Sequence, residues 1–419
     1  MKKKITGIFA LLLAAVIGIN LSGCAKRVQA ADLSQGITPV KVEGKAADAK
    51  YSAAQMNFAL KLLEKTFEEK GKENLLVSPV SVTLALAMTS NGADGETKKQ
   101  FETLLGSGMD TDELNAYLYA FLQSFSNENA GKLKTANSIW FNTEHHSFEA
   151  NRTFLQKNAD YYGAAAYKSV FNEKTLRDIN NWVKMNTDGM IEKIIDDLDP
   201  DAVMYLINTV LFDAEWENIY KKDEVRDGTF TALDGTKRTA SMMYSAEHLY
   251  LDDGKAIGFI KPYRNGYSFV ALLPNEDISL SDYAASMTGK SFADTIKNAE
   301  DVPVEAAMPK FSYDYDIEMS GALKALGMSL PFDPEKADFS ALGYYESGNI
   351  FISRVLHKAY ITVDEKGTKA GAATAADIKA TSDTGGLYSV TLDRPFVYAV
   401  IDDACGLPVF IGAVTDIGK

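Results

Sequence analysis

Cysteine is nearly absent: Cys24 and Cys405 are the only two among 419 residues. If Cys24 is consumed by modification, no intramolecular disulfide remains, and the chain folds on its core without covalent staples. Cys405 falls in Asp402-Asp403-Ala404-Cys405-Gly406, a turn sequence in which an idle thiol is expected. Histidine is scarce too, limited to His145, His146, His248 and His357. The adjacent pair His145-His146 would point to opposite faces of a strand, which argues for a surface turn over a metal site. Positive charge is in deficit, 43 Lys and Arg against 57 Asp and Glu, for a net charge of −14. That excludes phosphate-backbone binding as a main activity, so no nucleic-acid partner is expected. Gly-x-Ser-x-Gly, His-Glu-x-x-His and Walker-type motifs are all missing. With no legible nucleophile–base pair, a hydrolase is disfavoured. The acidic run Asp196-Asp197-Leu198-Asp199-Pro200-Asp201 lacks the Gly and terminal Glu of a calcium loop and reads as a solvated turn. No cofactor is implied.

The N-terminus is richer. Lys2, Lys3 and Lys4 precede an apolar run from Ile5 to Leu21, as in a secretory signal. The run ends in Leu21-Ser22-Gly23-Cys24, which resembles a bacterial lipobox, with Cys24 as the acylation point. The expected organisation is a signal peptide over 1–23, a lipidated Cys24 and flexible polar tether over 24–50, and one folded unit over 51–419. The corresponding location is extracytoplasmic, with a lipid anchor to the bacterial membrane or cell surface.

Apolar periodicity predicts helices early and strands late. Met56, Ala59, Leu60, Leu63 and Phe67 share a helical face. Ser78-Pro79 is a helix start, followed by Val80 to Met88 and closed by Asn91-Gly92. Leu114, Tyr117, Leu118, Phe121 and Phe125 predict another helix, and Leu176 to Met185 a further one. The run Met204 to Phe212 fits a strand buried on both faces. Ser268–Leu273, Val302–Phe311 and Ile350–Val363 read as strands, and Phe396–Ile401 with Pro408–Val414 as a buried hairpin. Such segregation predicts an α+β fold.

Residues 364–390 form an unusually long connection of small residues, which suits an exposed, protease-accessible loop. Its parity is unlike that of a plain loop. Thr368, Ala370, Ala372, Thr374, Ala376, Ile378 and Ala380 are all small or apolar, whereas Lys369, Asp377 and Lys379 have the opposite parity. In a strand, parity decides the face. The segment is therefore suited to be both a loop and a buried strand.

Several stretches carry a family resemblance, in order and at appropriate spacing. They are Asn74-Leu-Leu-Val-Ser-Pro-Val-Ser-Val-Thr-Leu-Ala-Leu-Ala-Met88, Gly92-Ala-Asp-Gly-Glu-Thr97, Ile207-Asn-Thr-Val-Leu-Phe-Asp-Ala-Glu-Trp216, Met308-Pro-Lys-Phe311, Ala337-Asp-Phe-Ser340, His357 to Ala370, Arg394-Pro-Phe-Val-Tyr398 and Phe410-Ile-Gly-Ala-Val414. From about residue 51 onwards the chain resembles the serpins, the serine protease inhibitors. The resemblance implies three β-sheets with eight or nine helices and an exposed reactive-centre loop that inserts into the largest sheet. It implies no catalytic residue, a monomer, and a target protease as partner, serine-type with cysteine-type as a further class.

By position the resemblance puts the reactive bond at Thr381–Ser382, suited to elastase- or subtilisin-like proteases, and a slip of two residues would offer Lys379 to a trypsin-like enzyme. It implies a hinge of Glu365, Gly367, Thr368, Ala370, Ala372 and Thr374, in which Lys369 and Gly371 depart from the commoner Glu and Ala. Ser78, Ser81, Asn208 and His357 match a shutter cluster, with Thr209 where the family frequently has Ala. Trp216, Lys310 and Glu365 match a breach, in which a Lys310–Glu365 ion pair is expected. The alternative left open is a non-inhibitory serpin acting as a surface binding or chaperone-like protein.

Overall fold

The computed structural model describes residues 28–124, 132–144, 147–346, 348–368 and 388–418. Among them are nine α-helices and three sheets, of seven, nine and two strands. The N-terminal residues through Arg27, including Cys24, and the loop segment 369–387 lie outside the described residues. No helix among the described residues is long and apolar enough to cross a membrane.

Local chemistry sets the helices that matter here. Helix Ala49–Lys70 begins at Asp48, whose side chain accepts from the Tyr51 backbone N–H. Met56, Ala59, Leu60, Leu63 and Phe67 are all buried along it. Helix Pro79–Ser90 starts as its sequence signals: the Ser78 side chain accepts from Ser81 N–H, and Pro79 sits in the first turn. Every residue of this helix is buried. It is apolar nearly all round and therefore occupies the core instead of lying on it.

The seven-stranded sheet positions the site. Its order is Ala31–Asp32, Ala165–Ser169, Lys132–Asn142, Met204–Glu215, Gly367–Thr368, Arg354–Val363 and Phe311–Glu318. The Met204 and Arg354 strands pair directly in parallel over Tyr205–Val210 and Arg354–Ala359. Farther along, the short Gly367–Thr368 strand wedges between them, with Thr368 opposite both Ala214 and Val363. Leu206 and Val210 of the Met204 strand face the main core. Tyr205 and Ile207 face the helix Glu173–Asn186, through Ile179, Trp182 and Val183. A continuous apolar run is what two covered faces require.

Three expectations differ from the structure. Val302–Phe311 is not one strand: Glu300–Pro309 ends in the nine-stranded sheet and Phe311–Glu318 begins in the seven-stranded one. Lys310 makes the crossing, its N–H donating to Ser241 O at 2.9 Å. Ile350–Val363 becomes a strand only at Arg354. Residues from Val28 on are not a free tether. The buried Asp178 carboxylate accepts from the N–H groups of Gln29 and Ala30, both at 2.9 Å. Ala31 and Asp32 pair with Lys168 and Tyr167 at the sheet edge. Backbone pairing needs no apolar pattern, so composition does not reveal it.

Candidate functional site

The chain leaves the Arg354 strand through a tight turn. Asp364 Oδ1 accepts from Lys366 N–H at 2.8 Å and Gly367 N–H at 3.2 Å, and Asp364 N–H donates to Gly367 O at 3.0 Å. Gly367 is required by close approach: a Cβ there would stand 2.1 Å from Ala214 O. The turn rests on a shelf formed by Trp216 to Tyr220. Trp216 N–H donates to Lys366 O and Tyr220 N–H to Glu365 O, each at 2.9 Å. The Trp216 indole N–H donates to Asp364 O at 2.8 Å. Trp216 is fully buried and stacks on Tyr263, with ring centroids 4.3 Å apart. Tyr263 in turn shares a hydrogen bond with the hydroxyl of Thr368.

Lys310 and Glu365 form an ion pair on the outer side of this turn, each side chain about a third exposed. Burial opposes ionisation of Glu365, but the hydrogen bond and charge of Lys310 outweigh it and hold the carboxyl below its usual range. Thr368, by contrast, is 1% exposed. Its pairing partner Ala214 belongs to the main core, so even-numbered positions of this segment begin on the core-facing side.

Farther down the same seam, Ser78, Ser81, Asn208 and His357 come together, all buried. Asn208 and His357 are direct partners across the parallel strands. The His357 ring is fixed at both nitrogens. Ser78 N–H donates to Nε2 at 3.3 Å, so Nε2 is the acceptor, and Nδ1 lies 2.6 Å from Asn208 Oδ1, to which it donates. Burial lowers the imidazole to about 3, so it is neutral. Asn208 Nδ2 reaches Ser81 O at 2.6 Å and Asn137 Oδ1 at 2.6 Å. The Thr209 hydroxyl donates to Ala136 O at 3.4 Å, which satisfies the polar atom an alanine would not carry.

Asn208 and His357 thus meet across the seam between the Met204 and Arg354 strands with Ser78 and Ser81 against them, and Trp216, Lys310 and Glu365 gather at the turn from which Gly367 and Thr368 enter that seam. Ala370, Ala372, Thr374, Lys379, Thr381 and Ser382 lie outside the described residues. Sequence reasoning missed Asn137 and Tyr263. Neither sits in a distinctive motif, and only pairing across strands brings them in.

Residues 53–417 match the family model described as serpin, serine protease inhibitor. The chain is 30% identical over 369 residues to Serpin-ZX of Arabidopsis thaliana, covering 82% of this chain and 92% of that protein. Among solved structures, the thermophilic serpin tengpin in its native state is 48% identical, with a TM-score of 0.88, covering 93% of this chain and all of that one. Tengpin in its latent state is 47% identical and aligns less well, with a TM-score of 0.79 over 89% of this chain and 100% of that one.

Proposed function

This chain belongs to the serpin family, and on that premise we propose that it is a suicide-substrate inhibitor of serine proteases that traps its target by inserting residues 369–380 into the seven-stranded sheet. The observation that carries this reading is Thr368. It is buried and already hydrogen-bonded in register between the two strands that would have to part.

The register can be extended by counting. Six residues beyond Thr368, and six back along each neighbouring strand, Thr374 falls level with Asn208 and His357. At about 3.3 Å per residue that is roughly 20 Å of travel. The parallel pairs from Arg354–Tyr205 to Ala359–Val210 must separate to admit it. Ala370, Ala372 and Thr374 then share the core-facing parity of Thr368, while Lys369, Asp377 and Lys379 face outward. Small side chains at the inward positions avoid overpacking, and outward charges avoid desolvation.

In this reading a protease serine attacks the Thr381 carbonyl, the Ser382 amine leaves, and the ester is carried along as the loop inserts before water can hydrolyse it. The small Thr381 suits elastase- or subtilisin-like enzymes. Lipidated Cys24 would hold a monomeric inhibitor at an extracytoplasmic membrane surface.

The test is to mix the full chain with elastase, subtilisin and trypsin. An SDS-resistant complex with either of the first two is expected, and mass spectrometry of the released peptide should begin at Ser382. A complex with trypsin alone, with a peptide beginning at Ala380, would move the bait to Lys379. Clean cleavage without a complex or a gain in thermal stability would instead favour a non-inhibitory binding protein.

A further inference from the structure

Beneath the shelf lies a buried ion pair that the insertion reading does not use. Lys261, in strand Ala256–Pro262, is 1% exposed. Its ammonium lies 2.6 Å from Glu247 Oε1, and the glutamate side chain is 7% exposed. Ser245 Oγ donates to the same oxygen at 2.6 Å. The ammonium also stands 4.4 Å from the Tyr220 ring centroid and 5.5 Å from that of Trp216, within the range of cation–π attraction. Ser245 Oγ is 3.3 Å from the Tyr220 hydroxyl, which ties that ring to the same cluster.

A buried ion pair is a costly way to fill a core, because both charges lose their water and an apolar pair of similar volume often does as well. What this pair adds is direction. A cation facing two rings holds them in place more specifically than a methylene stem would. These two rings belong to the residues that grip the turn: Trp216 and Tyr220 donate to the carbonyls of Asp364, Glu365 and Lys366.

We infer that Lys261 is a positioning residue for loop insertion: its ammonium, with Glu247 as counter-ion, locks Tyr220 and Trp216 and so fixes the turn from which the loop zips into the sheet. This inference rests on the insertion reading above. After the protease cuts, insertion competes with hydrolysis of the ester. A turn fixed in advance starts the zipper without a search, whereas a loosened turn delays its first step. More protease then escapes and more inhibitor is merely cleaved.

The experiment uses the full chain. Lys261→Met alone would strand a buried carboxylate and risk misfolding. The informative variant is therefore Lys261→Met with Glu247→Leu, which removes both charges, alongside Lys261→Arg, which keeps the cation. Two quantities are measured: inhibitor molecules consumed per protease trapped, and hydrogen exchange at the Trp216 and Tyr220 amides in uncut protein. The double variant should consume about fivefold more inhibitor, equivalent to about 1 kcal/mol in partition, with faster exchange at both amides. Lys261→Arg should stay near the parent chain.

Unchanged partition and exchange in the double variant would overturn the inference and leave the trapping function standing. Equal stability losses in uncut and loop-cleaved protein, with unchanged partition, would overturn it too by reducing Lys261 to a packing role. If the parent chain traps no protease, the insertion reading fails, and the inference that rests on it fails with it. Amide exchange then still reports separately whether Lys261 holds the turn.

Discussion

Asn208 and His357 face each other across the two strands that loop insertion would separate, joined by a 2.6 Å contact between Asn208 Oδ1 and His357 Nδ1. The bond ties the two paired strands to each other. Under the proposed insertion, counting on from the pairing of Thr368 would bring Thr374 level with it. The group that would open this seam is thus a hydroxyl, able to bond where the histidine and asparagine part.

Replacing Thr374 with arginine is therefore expected to convert the inhibitor into a substrate, because a long charged side chain would have to enter the core-facing row. The readout is the ratio of SDS-resistant complex to cleaved chain. Asp377→Arg, on the opposite parity, should leave that ratio nearly unchanged. Equal loss in both variants would refute the parity argument.

The neutral His357 makes stability depend on pH. Its folded value of about 3 lies below the ordinary value of 6.5. This contribution is complete above about pH 6.5 and is lost as pH falls towards 3, because the unfolded chain takes up a proton that the folded chain refuses. The expected slope from this group is roughly 1.4 kcal/mol per pH unit across that window. Urea melts at stepped pH values, with His357→Gln as comparison, should show this component missing from the variant.

Breaking the Lys310–Glu365 pair with Lys310→Ala should cost less than about 1 kcal/mol, since both side chains are about a third exposed and screened by solvent. Glu365 should then titrate higher than in the parent. The effect should shrink as salt is raised. A loss of several kcal/mol in chemical denaturation would mean that the pair does more than its exposure allows.

Gly367→Ala drives a methyl group into Ala214 O and Glu215 Cα. The hinge should lift away from the Met204 strand, lowering stability by about 1–3 kcal/mol and raising the fraction of inhibitor cleaved without trapping. Differential scanning calorimetry and the complex ratio measure the two effects independently.

Asp178→Ala removes the acceptor shared by the Gln29 and Ala30 amides. Hydrogen exchange across 28–32 should accelerate, and proteolytic nicking there should appear. Loop cleavage by the target protease should be unaffected. Unaltered exchange over 28–32 would mean that pairing with Tyr167 and Lys168 holds the segment unaided.

The early helices were legible because their stabilisation is local. Ser78 caps and Pro79 starts a helix by chemistry within one turn. The both-faces burial of the Met204 strand was legible from its unbroken apolar run. The seam residues Ser78, Ser81, Asn208 and His357 were legible only through family likeness, since Ser78 and His357 are 279 positions apart. Asn137, Tyr263 and Lys261 carried no signal, whereas the crossing at Lys310 does leave one: the apolar positions change there from even (Val302, Val304, Ala306, Met308) to odd (Phe311, Tyr313, Tyr315, Ile317).

The sequence alone determined the α+β class, the principal helices and strands, and the two-sided parity of residues 368–380, since each follows from side-chain spacing along a single element. Tertiary structure decided which elements meet. It decided that Thr368 already sits between the Met204 and Arg354 strands, that residues 28–32 dock on the sheet edge, and that Lys261 lies under the turn. Those relationships are set by sheet register and by burial between distant segments, quantities that no local spacing encodes.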